Sequence, residues 1–309
     1  MNFLYCFDEN YNIQGYLSIY SLLENVDNKI SIYIIHKDPK SFEKYKKKIV
    51  NHPKAGLIKI HKFEKNINFP NLEEAHVSEA TYYRLFVTDH IAKDVGHLIY
   101  LDADTVVINK VSEDLNNMVE KLRKSNLTIS AKTEEELSVN TKRLNMKSNK
   151  YFNAGVMVID YEKWIKDNLS KKLISRLKEL ESKILFWDQD VLNSFFDGVY
   201  LELDNVYNFK IDVDDMKQKQ VEKEDAKIVH YVGKSKPWTV RGSVKPNSKF
   251  YQNLYDQLFY LPFHISNNWK RQAYDDLISY SKSGVLKNLN NSFGFVISVI
   301  YFLLKKRAK

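Results

Sequence analysis

The chain opens with an apolar run, Phe3 to Phe7, that stops at Asp8-Glu9-Asn10-Tyr11 and gives way to a helical spacing through Leu17, Tyr20, Leu22 and Leu23. That pattern predicts strand, loop and helix. A second apolar run, Ile30 to Ile35, precedes a charged helical stretch near Ser41 to Val50, and a third short strand is predicted from Leu57 to His61. Strands alternating with helices in this way predict an α/β domain with a largely parallel sheet. Such sheets bind ligands beyond the carboxyl ends of their strands, which is where the pattern puts Asp8 and, further on, Asp102 and Asp104.

The run His97 to Leu101 has the look of a buried strand and leads straight into Asp102-Ala103-Asp104, with the apolar pattern resuming at Val106 to Ile108. Thr133 to Lys150 is polar, charged and without a steady period, which predicts a long loop folding over a site. A strand from Phe152 to Ile159 follows, then helices near Tyr161 and from Lys171 to Lys183. A helix opened by Trp187-Asp188-Gln189-Asp190 and a short strand from Ile228 to Tyr231 complete the expected core. The chain is expected to divide into a catalytic domain over residues 1–262 and a helical, basic and apolar tail over 263–309.

Within that tail the apolar run Phe293 to Leu304 has only 12 residues. As a helix it is about 18 Å long against a hydrocarbon core of about 30 Å, too short to span a bilayer. Trp269, Lys270 and Arg271 precede it and Lys305-Lys306-Arg307 follow it, so the expectation is an interfacial helix on an anionic membrane surface. The competing reading is a core helix or an oligomer contact.

Composition narrows the classes. The 309 residues, 44% of them hydrophobic, are enough to bury one sizeable core. Cys6 is the single cysteine, which rules out an intrachain disulfide and fits a reducing compartment. Met1 to Tyr5 carries no basic run before an apolar stretch, so the expected location is the cytoplasm, with peripheral attachment to the inner face of the cell membrane. The net charge of +8 comes from 40 lysines and only 7 arginines among the cationic residues, and no nucleic-acid-binding signature accompanies it. Nucleic acid is therefore not an expected partner.

The chemistry begins with two carboxylates one residue apart. Asp102-x-Asp104, Asp188-x-Asp190 and Asp212-x-Asp214 all have this spacing, which is common by chance. Only the first ends a continuous apolar strand and has a small residue, Ala103, between its acids, so that both can face one cation. Oxygen ligands of this kind suit Mn2+ or Mg2+.

Six ordered segments carry a resemblance: Phe7-Asp8-Glu9-Asn10-Tyr11, Ala80-Thr81-Tyr82-Tyr83-Arg84-Leu85, Tyr100-Leu101-Asp102-Ala103-Asp104, Phe152-Asn153-Ala154-Gly155-Val156, Trp187-Asp188-Gln189-Asp190, and His230-Tyr231-x-Gly233-x-x-Lys236-Pro237-Trp238. From Phe3 to about Trp238 the sequence resembles glycosyltransferase family 8, the group of bacterial lipopolysaccharide galactosyl- and glucosyltransferases and of glycogenin. The resemblance implies a GT-A fold, a nucleotide-sugar donor, a divalent cation and retention of anomeric configuration. It also implies that Asn153 and Ala154 meet the donor sugar, that Asp188 binds its hydroxyls, and that Gln189 lies near the anomeric carbon.

Each segment also has a physical reading. Asp8 and Asn10 suit the uracil imide and ribose, and Tyr11 suits stacking on the base, with a helix N-cap as the alternative for Asp8. Arg84, among apolar neighbours, points to a donor phosphate or sugar contact, against a surface ion pair. His230 completes an Asp102-Asp104-His230 metal set, and Gly233 and Lys236 follow at spacings that let backbone N–H groups and an ammonium meet the diphosphate. Asp102 and Ala103 count among the donor contacts; Asn153 as a strand-entry turn and Asp188 as a helix cap are the bland alternatives.

The expected activity is retaining transfer of glucose or galactose from a UDP-sugar to a glycan hydroxyl, with Gln189, Asp188 and Arg84 at the reacting centre. No carboxylate nucleophile stands out, which favours front-face displacement, and a covalent route through Asp188 or Asp190 stays open. A catalytically weak UDP-sugar-binding scaffold is the alternative function, and homo-oligomerisation is undetermined. A nucleotidyltransferase requires a glycine-rich triphosphate loop, which is absent from the sequence.

Overall fold

The computed structural model describes residues 1–70, 78–135, 138–215, 225–266 and 269–305. They form two compact units, one of residues 1–209 with 226–228, the other of 210–225 with 229–309. Residues 229–262 thus pack with the C-terminal helices, a different division from one at residue 262.

In the first unit the strands are β1 (Asn2–Phe7), β2 (Ile30–His36), β3 (Ala55–Lys62), β4 (His97–Leu101), β5 (Thr105–Val107), β6 (Ile129–Thr133), β7 (Phe152–Asp160) and β8 (Leu201–Glu202). All but β5 join one sheet in the order β3-β2-β1-β4-β7-β6-β8. Parallel pairing links β1 to β2, β1 to β4, β2 to β3 and β6 to β8, while β7 runs antiparallel to both β4 and β6. The sheet is therefore mixed and mostly parallel, as the alternating pattern predicts. Strand order reverses beside β1, because the chain winds outward through β2 and β3 and returns to β4 on the other side. The crevice at such a switch point opens at the carboxyl ends of β1 and β4, the positions of Asp8 and Asp102.

The helices of this unit are α1 (Asn12–Asn25), α2 (Pro39–Val50), α3 (Ser112–Ser125), α4 (Ser138–Arg143), α5 (Tyr161–Lys166), α6 (Leu169–Leu180) and α7 (Trp187–Phe196). Helix α2 starts where Asp38 accepts from the Lys40 N–H and Pro39 occupies the first turn, and its buried Phe42, Tyr45 and Ile49 repeat at helical spacing. Helix α1 lies so close to β1 that a Cβ on Gly15 would meet Phe7 Cζ at 2.7 Å. The stretch expected as a loop from Thr133 to Lys150 contains α4, a polar helix that apolar periodicity does not reveal.

The second unit contains all but the first residue of each of the paired strands β9 (Phe209–Ile211) and β10 (Ile228–Tyr231), followed by α8 (Val240–Ser243), α9 (Lys249–Phe259), α10 (Lys270–Lys282) and α11 (Ser292–Leu304). Val240, Ile265, Ala273, Phe295 and Val299 form one buried cluster of this unit. Helix α11 has two apolar faces: Phe295 and Val299 are wholly buried, whereas Phe293, Ile297, Ile300, Tyr301 and Leu304 are exposed. Among the described residues no helix is long and apolar enough to cross a membrane. Lys306 and Arg307 of the expected basic cluster lie outside the described residues.

Candidate functional site

Asp8 ends β1 nearly buried and caps the turn that follows it, its Oδ1 accepting from the Asn10 N–H at 3.0 Å and its Oδ2 facing Asn10 Nδ2 at 3.4 Å. The capping alternative for Asp8 is thus realised. The turn is anchored from β2, where buried His36 donates through Nε2 to Asn12 Oδ1 at 2.9 Å and accepts the Asp38 N–H at Nδ1. Burial holds that imidazole neutral, its pKa lowered to about 4. Burial first, and then the field of Asp104, Asp8 and Asp102, raises the Tyr11 hydroxyl above its ordinary value, so Tyr11 stands among the strand-end carboxylates.

Arg84 is the hub of the first unit's site. Its side chain is 4% exposed and projects from the 3-10 segment Glu79–Asp89. Nη1 donates to the Ala154 carbonyl, Nε pairs with Asp188 Oδ2, Nη2 lies 3.4 Å from Asp188 Oδ1 and 3.5 Å from Asp102 Oδ1, and the guanidinium stacks 3.9 Å over the Tyr100 ring. This is no surface ion pair, and the fork is committed to protein groups. The Tyr100 hydroxyl donates to Asp102 Oδ1 at 2.6 Å. Alternation along β4 puts positions 100 and 102 on one face, a signal that sequence reading could have used to find Tyr100. Ala103 is buried, and the Asp102 carbonyl accepts from Thr105 Oγ1 at 2.8 Å, closing the turn that presents Asp104.

A register shift in the β6–β7 pairing, between Ala131↔Met157 and Lys132↔Asn153, releases the middle of β7 from β6. The freed peptide groups turn to the site. The Ala154 N–H donates to Gln189 Oε1 at 2.9 Å and its carbonyl accepts from Arg84, while the Gly155 carbonyl, on the β4 side of the strand, accepts the Asp102 N–H at 2.8 Å. Asn153 accepts at Oδ1 from the Gly155 N–H and from Asn208 Nδ2 and donates to Glu134 Oε1. Asn208, wholly buried, has no counterpart among the residues the sequence singles out.

The two acids of Asp188-Gln189-Asp190 differ in what compensates them. Asp188 is 1% exposed and meets Arg84 and the Thr81 hydroxyl; burial outweighs these partners and lifts its carboxyl to about 6. Asp190, wholly buried, accepts Arg143 Nη1 and Nη2 at 2.8 and 2.9 Å, the Tyr151 hydroxyl at 2.7 Å, and the N–H groups of Leu185 and Phe186 at 2.8 Å. A carboxylate saturated in this way is not presented as a nucleophile. The turn it closes leaves Trp187 at φ +47°, a conformation that costs a non-glycine residue about 1–2 kcal/mol.

In the second unit His230 is buried on β10, and Gly233 turns the chain with φ +81°. Lys236 Nζ donates to the Tyr231 carbonyl at 2.5 Å. A Cβ on Gly242 would lie 2.0 Å from the Lys236 carbonyl oxygen, so only glycine fits there without moving that loop.

A sequence model of glycosyl transferase family 8 matches residues 2–241. Among curated proteins, the chain is 28% identical to general stress protein A of Bacillus subtilis, over 77% of this chain and 87% of that protein. It is 28% identical to the lipopolysaccharide 1,3-galactosyltransferase of Salmonella typhimurium, over 81% and 77% of the two chains. Among solved structures, the galactosyltransferase LgtC in complex with donor and acceptor sugar analogs superimposes with a TM-score of 0.64 at 21% identity, covering 85% of this chain and 98% of that one. That likeness carries the fold, which is GT-A. The chain, with the family's model matching most of its length, belongs to glycosyltransferase family 8.

Proposed function

We propose that the protein transfers glucose or galactose from a UDP-sugar to a hydroxyl of a glycan acceptor, with retention of configuration. The observation that supports it most is the buried Arg84, which ties Asp102, Asp188 and the Ala154 carbonyl together at the strand ends. The curated relatives include lipopolysaccharide glucosyl- and galactosyltransferases.

In this reading Asp8, Asn10 and Tyr11 hold the uridine, Asp102, Ala103, Asn153, Ala154, Asp188 and Gln189 face the donor sugar, and Gly233 and Lys236 meet the diphosphate. Asp102, Asp104 and His230 hold Mn2+ or Mg2+. Two carboxylates and an imidazole are a fitting set for such an ion, and Tyr100 and Arg84 orient Asp102 from behind. When bound, the cation neutralises charge that grows on the diphosphate.

The bond from the anomeric carbon to the β-phosphate oxygen breaks with its electron pair staying on UDP. The acceptor oxygen attacks from the same face and its proton passes to the departing phosphate. Gln189 supports the cationic sugar by position and dipole, while Arg84 holds Asp188 in place beside the donor. The saturation of Asp190 favours this front-face route over a covalent one through Asp190.

The outward apolar face of α11, with exposed Trp269 and Arg271 nearby in sequence, supports attachment to an anionic membrane surface from the cytoplasmic side.

The decisive experiment is UDP release from UDP-glucose and UDP-galactose with Mn2+. Asp104→Asn is expected to lower it on the order of 1000-fold with the fold intact by circular dichroism. Wild-type turnover by Asp104→Asn overturns the metal assignment, and no turnover of either donor by the wild type overturns the function.

A further inference from the structure

Gln189 carries no charge, so what it does for a reacting sugar depends on where its amide points. The torsion that aims an amide is soft. Here both ends of the amide are held: Oε1 accepts the Ala154 N–H at 2.9 Å and Nε2 donates to the Tyr151 hydroxyl at 3.3 Å. Tyr151 gives its own proton to Asp190 Oδ1, and the same carboxylate receives the Arg143 fork and the N–H groups of the turn that enters α7.

We propose that Arg143, Tyr151 and Asp190 are positioning residues that act through Gln189. The Asp190 charge draws on the Tyr151 O–H and makes the phenol oxygen a better acceptor for the Gln189 amide. Arg143 keeps that charge compensated in the interior with a bidentate pair. It also fixes the Leu185–Trp187 turn indirectly, because the carboxylate it holds is the one that accepts from Leu185 and Phe186. Arg143 comes from α4, 47 residues upstream of Asp190, so the aim of the amide depends on a polar helix outside every motif of the site. This rests on the reading of Gln189 as a residue beside the reacting carbon.

The test is a double-mutant cycle on UDP release with Mn2+ and whichever of UDP-glucose or UDP-galactose the wild type turns over. Tyr151→Phe is expected to lower kcat on the order of 10-fold with the donor KM changed less than about threefold, since misorientation acts on the reacting geometry. In a Gln189→Ala background the same change is expected to cost less than about twofold, the non-additivity of residues that act as one unit. Arg143→Lys, which keeps the charge and loses the fork, is carried through a second cycle with Gln189→Ala and decides the matter if Tyr151→Phe does not fold. Losses that multiply in the cycle, or an unchanged kcat per folded molecule, overturn the positioning role. Wild-type kcat in Gln189→Ala overturns the underlying reading of Gln189, and the proposal falls with it; a lowered kcat there with multiplying losses overturns the positioning alone.

Discussion

The two units break the usual rule of burial in opposite directions. The first takes charges inside: Arg84, Asp188 and Asp190 are each less than 5% exposed, and each has several charged or hydrogen-bonding partners. The second puts large apolar groups outside, with Phe293 at 78% and Leu304 at 77% exposure on α11. A buried charge has to be compensated or the fold fails, whereas an exposed leucine costs folding little. The first arrangement is therefore coupled to stability and the second is nearly independent of it.

Arg84→Ala should break the comparison most severely. It leaves Asp188 and Asp102 without their shared cation, and a loss of about 3–5 kcal/mol is expected from denaturant unfolding. A loss below about 1 kcal/mol means that water compensates the carboxylates and that the hub is not structural.

The second unit also buries an imidazole, His264, whose Nδ1 lies 2.6 Å from the Tyr251 hydroxyl. Burial, helped by the Lys305 charge, lowers its pKa to about 3. The unfolded chain protonates this imidazole near 6.5 and the folded one does not. Its contribution is thus fully present above pH 6.5 and is lost as pH falls toward 3. From pH 7 to 5 the loss from this group is expected to be about 2 kcal/mol. His264→Gln should remove that share of the slope, and an identical slope in the variant shows that other groups produce it.

The smallest stability effect is expected on the outer face of α11. Phe293→Ser, Ile297→Ser and Tyr301→Ser together should change unfolding free energy by no more than about 1 kcal/mol, while cosedimentation with anionic vesicles at low salt is lost. Retained vesicle binding overturns the membrane reading. Truncating the helix is a poorer test, because it removes Phe295 and Val299 from the core of the unit.

Much of the first unit is legible in sequence because its signals are local. The spacing predicts a strand at His97 to Leu101 and a helix opening at Trp187, and both elements have those bounds. Asp102 follows from the first of these, since a strand end fixes where its next residue stands. Helix α4 is not legible: it is short and polar, and Arg143 on it is secured by a partner 47 residues away. The commitment of Arg84 to internal partners is equally hidden, because an arginine among aromatics reads the same whether its fork faces a phosphate or a buried aspartate. In α11 the run of apolar residues conceals which face is covered, as periodicity is lost when every position is hydrophobic.

The slipped pairing of β7 has a consequence for how the site yields to mutagenesis. Ala154 contributes through its peptide bond on both sides, and it is already alanine, so a side-chain scan passes over it without a signal. Only a change of backbone, such as removal of the N–H by proline, addresses what this position does. Part of the machinery is therefore written in the course of the main chain, where substitution tables record tolerance and the chemistry is nonetheless fixed.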